Sequence, residues 1–195
     1  FQRDEEGHPT GWLVEGAAID PVTEALGVIS EEALALAAPD FFKEMSAVGL
    51  TGAFDAGMID TGELGRRLAL KMVEAGEFPV RMVASLYVNQ PEQLPTALGT
   101  LAELSARYHH PLFNVSTLKL SLDGTVEAKT AVMLDPYILP EGHEAKPLLP
   151  NPIMFDAVAA AHEDNVDLHL HAIGDGAVRS ALDAIEHAKA LHPES

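Results

Sequence analysis

Phe113-Asn-Val-Ser-Thr-Leu-Lys-Leu-Ser-Leu122 is the stretch on which the fold turns. Side chains alternate across a strand, so Leu118, Leu120 and Leu122 share one face. Val115, Thr117, Lys119 and Ser121 then take the other. The leucine face asks for helices to pack on it, and the polar face asks for an interior that tolerates Lys119. Val166–Ala172 repeats the arrangement, with Leu168 and Leu170 on one side and Asp167, His169 and His171 on the other. Upstream, Val80–Val88 sets Ser85 and Tyr87 opposite Ala84 and Leu86. Thr51–Ala56 is a shorter strand candidate ending on Phe54 and Asp55.

Helical patterns separate these strands. Leu64, Leu68 and Met72 recur at helical spacing in Glu63–Ala75, which Gly76 ends. Leu94, Leu98, Leu101, Leu104 and Tyr108 form one stripe. Asn151-Pro152 predicts a helix start, with Asn capping, and that helix runs to about Asp164. Asp175 predicts the cap of a last helix carrying Val178, Leu182 and Ile185. Strands alternating with helices argue for an α/β fold of βα units around a parallel sheet. Four such units fit half of an eight-stranded barrel or a small doubly wound sheet, and the pattern alone does not separate the two.

The chain reads as one domain over 1–195. Residues 1–50 are an N-terminal irregular and helical region, with Ser30 and Asp40 as caps of two short helices. Residues 51–122 carry βα units. Residues 123–150, with Pro136, Pro140, Pro147 and Pro150, are too long for an ordinary connection and predict a lid or substrate loop. Residues 151–195 carry the remaining βα units.

Composition bounds the function. Apolar residues make up 47% of the chain, which is a globular composition. Twelve Lys and Arg against 30 Asp and Glu leave a net charge of −18, which repels nucleic acid and anionic membranes. No apolar run reaches the length of a membrane helix. The acidic start Phe1-Gln-Arg-Asp-Glu-Glu is no signal peptide, so a cytoplasmic location is expected. It also lacks an initiator Met, so a trimmed N-terminus is expected. With no cysteine in the chain, any metal must be held by His, carboxylates or a modified Lys.

Functional groups in parallel α/β folds gather at the C-terminal ends of strands. By alternation Asp55, Tyr87, Lys119 and His171 converge there. Neutral imidazole is a good zinc ligand. An ammonium is not, so Lys119 could ligate only as a carbamate formed with CO₂. The simpler alternative is a charged Lys119 that contacts substrate or an inner carboxylate. His169 lies one layer deeper and suits a structural role. His109 and His110 follow a helix and suit its C-terminal dipole. Asp123-Gly124 is a turn signal first and a site second.

Several segments occur together in order: Gly7-His-Pro-Thr-Gly-Trp-Leu-Val-Glu15, Asp55-Ala-Gly57, Lys119-Leu-Ser-Leu-Asp-Gly-Thr125, Thr130-Ala131, Pro136-Tyr137 and His171-Ala-Ile-Gly-Asp-Gly-Ala177. This set resembles the YtcJ-like branch of the amidohydrolase superfamily (amidohydrolase family 3), which includes N-substituted formamide deformylases. The resemblance implies a partial TIM-like (β/α)₈ barrel of the metal-dependent hydrolase type, in which these strands are barrel strands two to five. It implies Lys119, carbamylated, and His171 as metal ligands, zinc as the expected divalent ion, and hydrolysis of a non-peptide C–N bond in a small amide. Asp55, Tyr87, Asp123 and Tyr137 are the expected substrate contacts. The family's first-strand His-x-His pair is expected before Phe1, and its sixth-strand His and eighth-strand Asp beyond Ser195. The chain is therefore expected to be an internal piece, weak in metal binding and inactive alone, with sheet edges that favour self-association. The rival reading is a non-catalytic binding or regulatory domain. A dinucleotide fold is discounted, because Gly174-Asp-Gly176 lacks the complete fingerprint.

Overall fold

The computed structural model describes residues 2–27, 29–57, 62–139 and 142–194. Four parallel strands form its spine: β1 (Gly52–Asp55), β2 (Arg81–Val88), β4 (Phe113–Ser121) and β5 (Asp167–His171). They lie side by side in that order. Strand β3 (His109–His110) pairs antiparallel with the start of β4. Helices α3 (Gly62–Glu74), α4 (Ala97–Arg107) and α5 (Asn151–Glu163) connect the parallel strands in turn, and α6 (Asp175–Leu191) follows β5. This is a half-barrel of the TIM type, the partial (β/α)₈ architecture expected above.

The leucine face is buried as the alternation demands. Leu118 and Leu120 are fully enclosed and Leu122 nearly so, in one core with Ala84, Val88, Leu101, Leu104, Met154 and Val158. Phe113 anchors the lower end of that core edge-on to Phe78 and Tyr108. At about 25 cal/mol per Å² of buried apolar surface, these side chains supply the main drive for strand and helix to associate.

One assignment changes face. Ala84 pairs with Val115 but Ser85 pairs with Thr117, so Ser116 is an extra residue in β4. Residues level with one another on adjacent strands point to the same side. Val115 therefore joins Ala84, Leu118 and Leu120 on the helix side, not Lys119 on the inner side. Such a bulge re-aims the chain that follows it. Without it, a core-facing Val115 and an inward Lys119 could not coexist in one strand.

The N-terminal region is more regular than its Gly, Pro and acid content suggests. Helix α1 (Gly16–Leu26) lies in the stretch expected to be irregular, and α2 (Glu31–Ala47) is one helix rather than two, with Pro39 inside it. Ser30 caps α2 by accepting from the Ala33 N–H, as expected. Asp40 caps nothing, because Phe42 and Met45 pack on the core and carry the helix past Pro39. His109 and His110 form β3 instead of serving a helix end, and His110 Nδ1 accepts from the Leu112 N–H. Asn151 and Asp175 are the first helical residues of α5 and α6, one position inside the caps.

Candidate functional site

Lys119 sits at the centre of the inner face. Strand register places it level with Tyr87 on one side and His169 on the other. Below them Ser85, Thr117 and Asp167 form the next row, and above them Ser121 is level with His171. His169 is thus the lateral neighbour of Lys119, while His171 stands one row nearer the strand ends. With strands spaced about 4.8 Å apart and a rise of about 3.3 Å per residue, the Lys119 and His171 backbones are roughly 8 Å apart. Two side chains reaching inward can close on a common point from that distance.

The electrostatics of this layer are unusual. Lys119 is 4% exposed and makes no ion pair among the described residues. Burial holds its amine below the usual lysine range, because desolvation penalises the ammonium. Burial also lowers the His169 pKa, and the nearness of Lys119 and His171 adds to the effect. The His169 Nδ1 is enclosed without a hydrogen-bond partner among the described residues. Its ring meets Phe54 at 5.2 Å between centroids. Phe54 and His169 stand on the outermost parallel strands, so their contact shows that the sheet curls around its inner face. The His171 imidazole, with a lysine amine poorly solvated as a cation and so suited to carbamate formation, fits part of a divalent ion's shell. It does not by itself complete the ion's coordination.

Asp123 governs the surroundings. It is 2% exposed, and its carboxylate accepts three backbone N–H groups. They come from Val132 (2.9 Å), Ile173 (3.0 Å) and Gly174 (2.8 Å). One side chain therefore ties the end of β4 to the long loop and to the turn before α6. The loop lies so close to that turn that a Cβ on Gly174 would stand 1.9 Å from the Val132 carbonyl oxygen, and one on Gly176 2.9 Å from the Met133 carbonyl carbon. The Val132 carbonyl also accepts from the Ala177 N–H, and Asp175 accepts from the Leu134 N–H. The Gly174-Asp-Gly176 sequence serves this backbone-to-backbone packing. Asp123, an expected substrate contact, has both oxygens accepting amides inside the protein.

Two further expectations shift. Asp55 is level with Ala84, which places it on the helix side rather than the inner side. There it borders a cavity of about 460 Å³ between α2 and α3, with Leu34, Phe41, Phe42, Leu68 and Met82. The strand is too short for alternation to show which of Phe54 and Asp55 turns inward; pairing with β2 decides it. Tyr137 is folded into its own loop, where its hydroxyl donates to the Ala131 carbonyl and its ring lies against His143. Tyr87 remains on the inner face, packed so closely on Gly57 that a Cβ there would stand 2.9 Å from its own Cβ.

His171, about one third exposed, places Nε2 3.4 Å from the Gly124 carbonyl and 3.9 Å from Asp123 Oδ1. Gly124 in turn packs under Thr130 and Glu15, a residue to which no site role was assigned from sequence. No periodicity reveals Glu15, since it lies more than 100 positions from its partners.

Comparison with known proteins agrees with this architecture. The profile described as "Amidohydrolase family" matches residues 1–194, and the chain belongs to that family. It is 30% identical over 194 residues to the exoenzymes regulatory protein AepA of Pectobacterium carotovorum subsp. carotovorum, covering all of this chain and 41% of that protein. It is 25% identical over 189 residues to the putative amidohydrolase YtcJ of Bacillus subtilis (strain 168), covering 94% of this chain and 34% of that one. The chain thus spans about two fifths or less of these relatives. In fold it is similar to an uncharacterized metal-dependent hydrolase from Pyrococcus horikoshii OT3, with a TM-score of 0.66 and 18% identity over 92% of this chain and 37% of that one.

Two measurements check the site's physics. Asp123→Ala should cost roughly 2–4 kcal/mol by stranding the buried Gly174 N–H and the part-buried N–H groups of Val132 and Ile173, and should speed amide exchange at all three. Unchanged exchange there would show that the clamp is not needed. The second concerns Lys119 in protein freed of metal and CO₂. The folded chain loses this proton at lower pH than the unfolded one, whose amine keeps the ordinary value of 10.5. Between the two the unfolded state holds more protons, so stability rises with pH across that window. Lys119→Met should flatten that rise in a denaturation series.

Proposed function

We propose that the whole protein hydrolyses a carbon–nitrogen bond outside peptides, in an amide, N-formyl or cyclic amide, with the help of one or two divalent ions, zinc first among them. One observation carries this reading: Lys119 and His171 stand on adjacent strands of a polar inner face, at the end where parallel barrels hold their chemistry. A divalent ion bound there would acidify a water molecule and polarise the carbonyl it attacks. Lys119 and His171 would hold it.

The buried Lys119 suits conversion to a carbamate. Its neutral Nζ attacks the carbon of CO₂, an N–C bond forms, and one proton leaves to solvent. The product spreads one negative charge over two oxygens, which removes the ammonium that burial disfavours. An Nε2–H of His171 directed at the Gly124 carbonyl leaves the Nδ1 lone pair to ligate. His169 and Phe54 fill the interior beside Lys119 and limit water below it. Tyr87 would border the substrate from the inner face and Tyr137 would shape the loop that covers it. Asp123 is assigned to holding that loop, and Asp55 to the base of the β1 turn, where it accepts from the Gly57 N–H.

The name of one relative, a regulatory protein, favours a second reading in which this domain binds a small molecule without turnover. Metal analysis and turnover separate the two. The whole protein should carry zinc and release amine from an N-formyl amine. Chelation should abolish turnover, and Lys119→Ala or His171→Ala should lower it at least ~100-fold. Metal-free, inert protein would sink the hydrolase reading. The 195 residues alone are expected to bind metal weakly and to self-associate. Strands β1 and β5 each pair on one side only among the described residues, and α6 turns Val178, Leu182 and Ile185 to solvent. A monomer by light scattering at all concentrations would contradict this.

A further inference from the structure

Glu15 has a backbone conformation that a side chain ordinarily avoids, with φ 61° and ψ 173°. Glycine alone is comfortable in that region. The backbone duty at this position does not call for glutamate. Its carbonyl accepts from the Ala18 and Ile19 N–H groups at the start of α1, which any residue could do, and its side chain makes no cap bond. The side chain instead crosses to the loop after β4. Its Oε1 accepts from Thr130 Oγ1 at 2.7 Å and lies 3.5 Å from Thr125 Oγ1. Thr130 Oγ1 itself accepts from the Thr125 N–H at 2.9 Å, and the Thr130 carbonyl accepts from the Gly124 N–H.

These groups enclose Gly124. A Cβ there would stand 2.1 Å from Thr130 Oγ1 and 2.8 Å from Glu15 Oε1. Glycine is thus required by the side chains that press on it. The Gly124 carbonyl on the far side is the one that faces His171 Nε2. Asp123 holds this turn from within, and Glu15 closes it from without.

We propose that Glu15 is a positioning residue for His171: by accepting from Thr130 it holds the Gly124 turn, and so fixes the ring of a metal-facing histidine. The inference rests on the metal-dependent reading above for its consequence, though not for the latch itself. It also gives the N-terminal segment a part in the site although that segment lies outside the βα units.

The test uses the whole protein with Glu15→Gly, Glu15→Gln and Thr130→Val. Amide exchange over 124–131 is read in chelator-treated protein, and zinc affinity by competition with a coloured chelator. Glu15→Gly should keep or raise Tm, because it relieves the strained backbone. It should nevertheless speed exchange over 124–131 and weaken zinc binding, each about tenfold. Thr130→Val should match it in exchange and zinc affinity. Glu15→Gln keeps an acceptor oxygen and should stay within about threefold of the unmodified protein. A residue that merely supports folding would instead lower Tm along with everything else. Unchanged exchange in Glu15→Gly overturns the latch. So does a glutamine variant as damaged as the glycine one. A loosened turn with unchanged zinc affinity overturns the link to His171. Unmodified protein that takes up no zinc ends the metal reading and the link to His171, while the exchange measurement still decides the latch.

Discussion

The Asp123 carboxylate is the interaction on which the rest of the site depends. A buried carboxylate is costly unless its lone pairs are occupied, and here three backbone amides occupy them. Because those amides belong to two places in the chain and the carboxylate to a third, the bonds that satisfy the charge also fix the geometry. The end of β4 meets the long loop and the turn before α6 at one point. His171 Nε2 stands 3.9 Å from the same carboxylate, near it but beyond hydrogen-bond reach.

That constraint explains the glycines around it. Gly124, Gly174 and Gly176 occupy places where backbone or side-chain atoms approach too closely for a Cβ. Two of them lie in a segment that superficially suggests phosphate binding. Their role is instead to let the loop backbone lie against the start of α6. The loop that the prolines mark is held along its base, and its tip carries apolar side chains such as Leu134 and Ile138 into solvent.

The inner layer differs, holding groups that lack an ion-pair or hydrogen-bond partner among the described residues. Lys119 has no counter-ion among the described residues, and His169 Nδ1 has no hydrogen-bond partner. Each would be a defect in a purely structural core. The helix side of β4 shows the contrast, being packed with leucine, valine and alanine.

Much of this was legible along the chain. Leucine alternation in 118–122 and 168–170 marked the strands and the buried face, and it put Lys119 and His171 on the polar side. The order of strands and helices narrowed the architecture to two possibilities, because local spacing records which face is buried but not how a sheet curls. What lay beyond reach was what depends on partners far apart in sequence. Pairing with β2, and not alternation within four residues, turned Asp55 to the helix side. A bulge at Ser116, visible only against its neighbour strand, moved Val115 to the core. Glu15 reaches Thr130 across 115 positions, a distance over which no periodicity carries information. Sequence by itself determined which residues are compatible with burial and which strands could bear chemistry. Tertiary structure alone decided which of the polar residues meet, because hydrogen bonds and close approach depend on positions in space that the chain reaches only once it is folded.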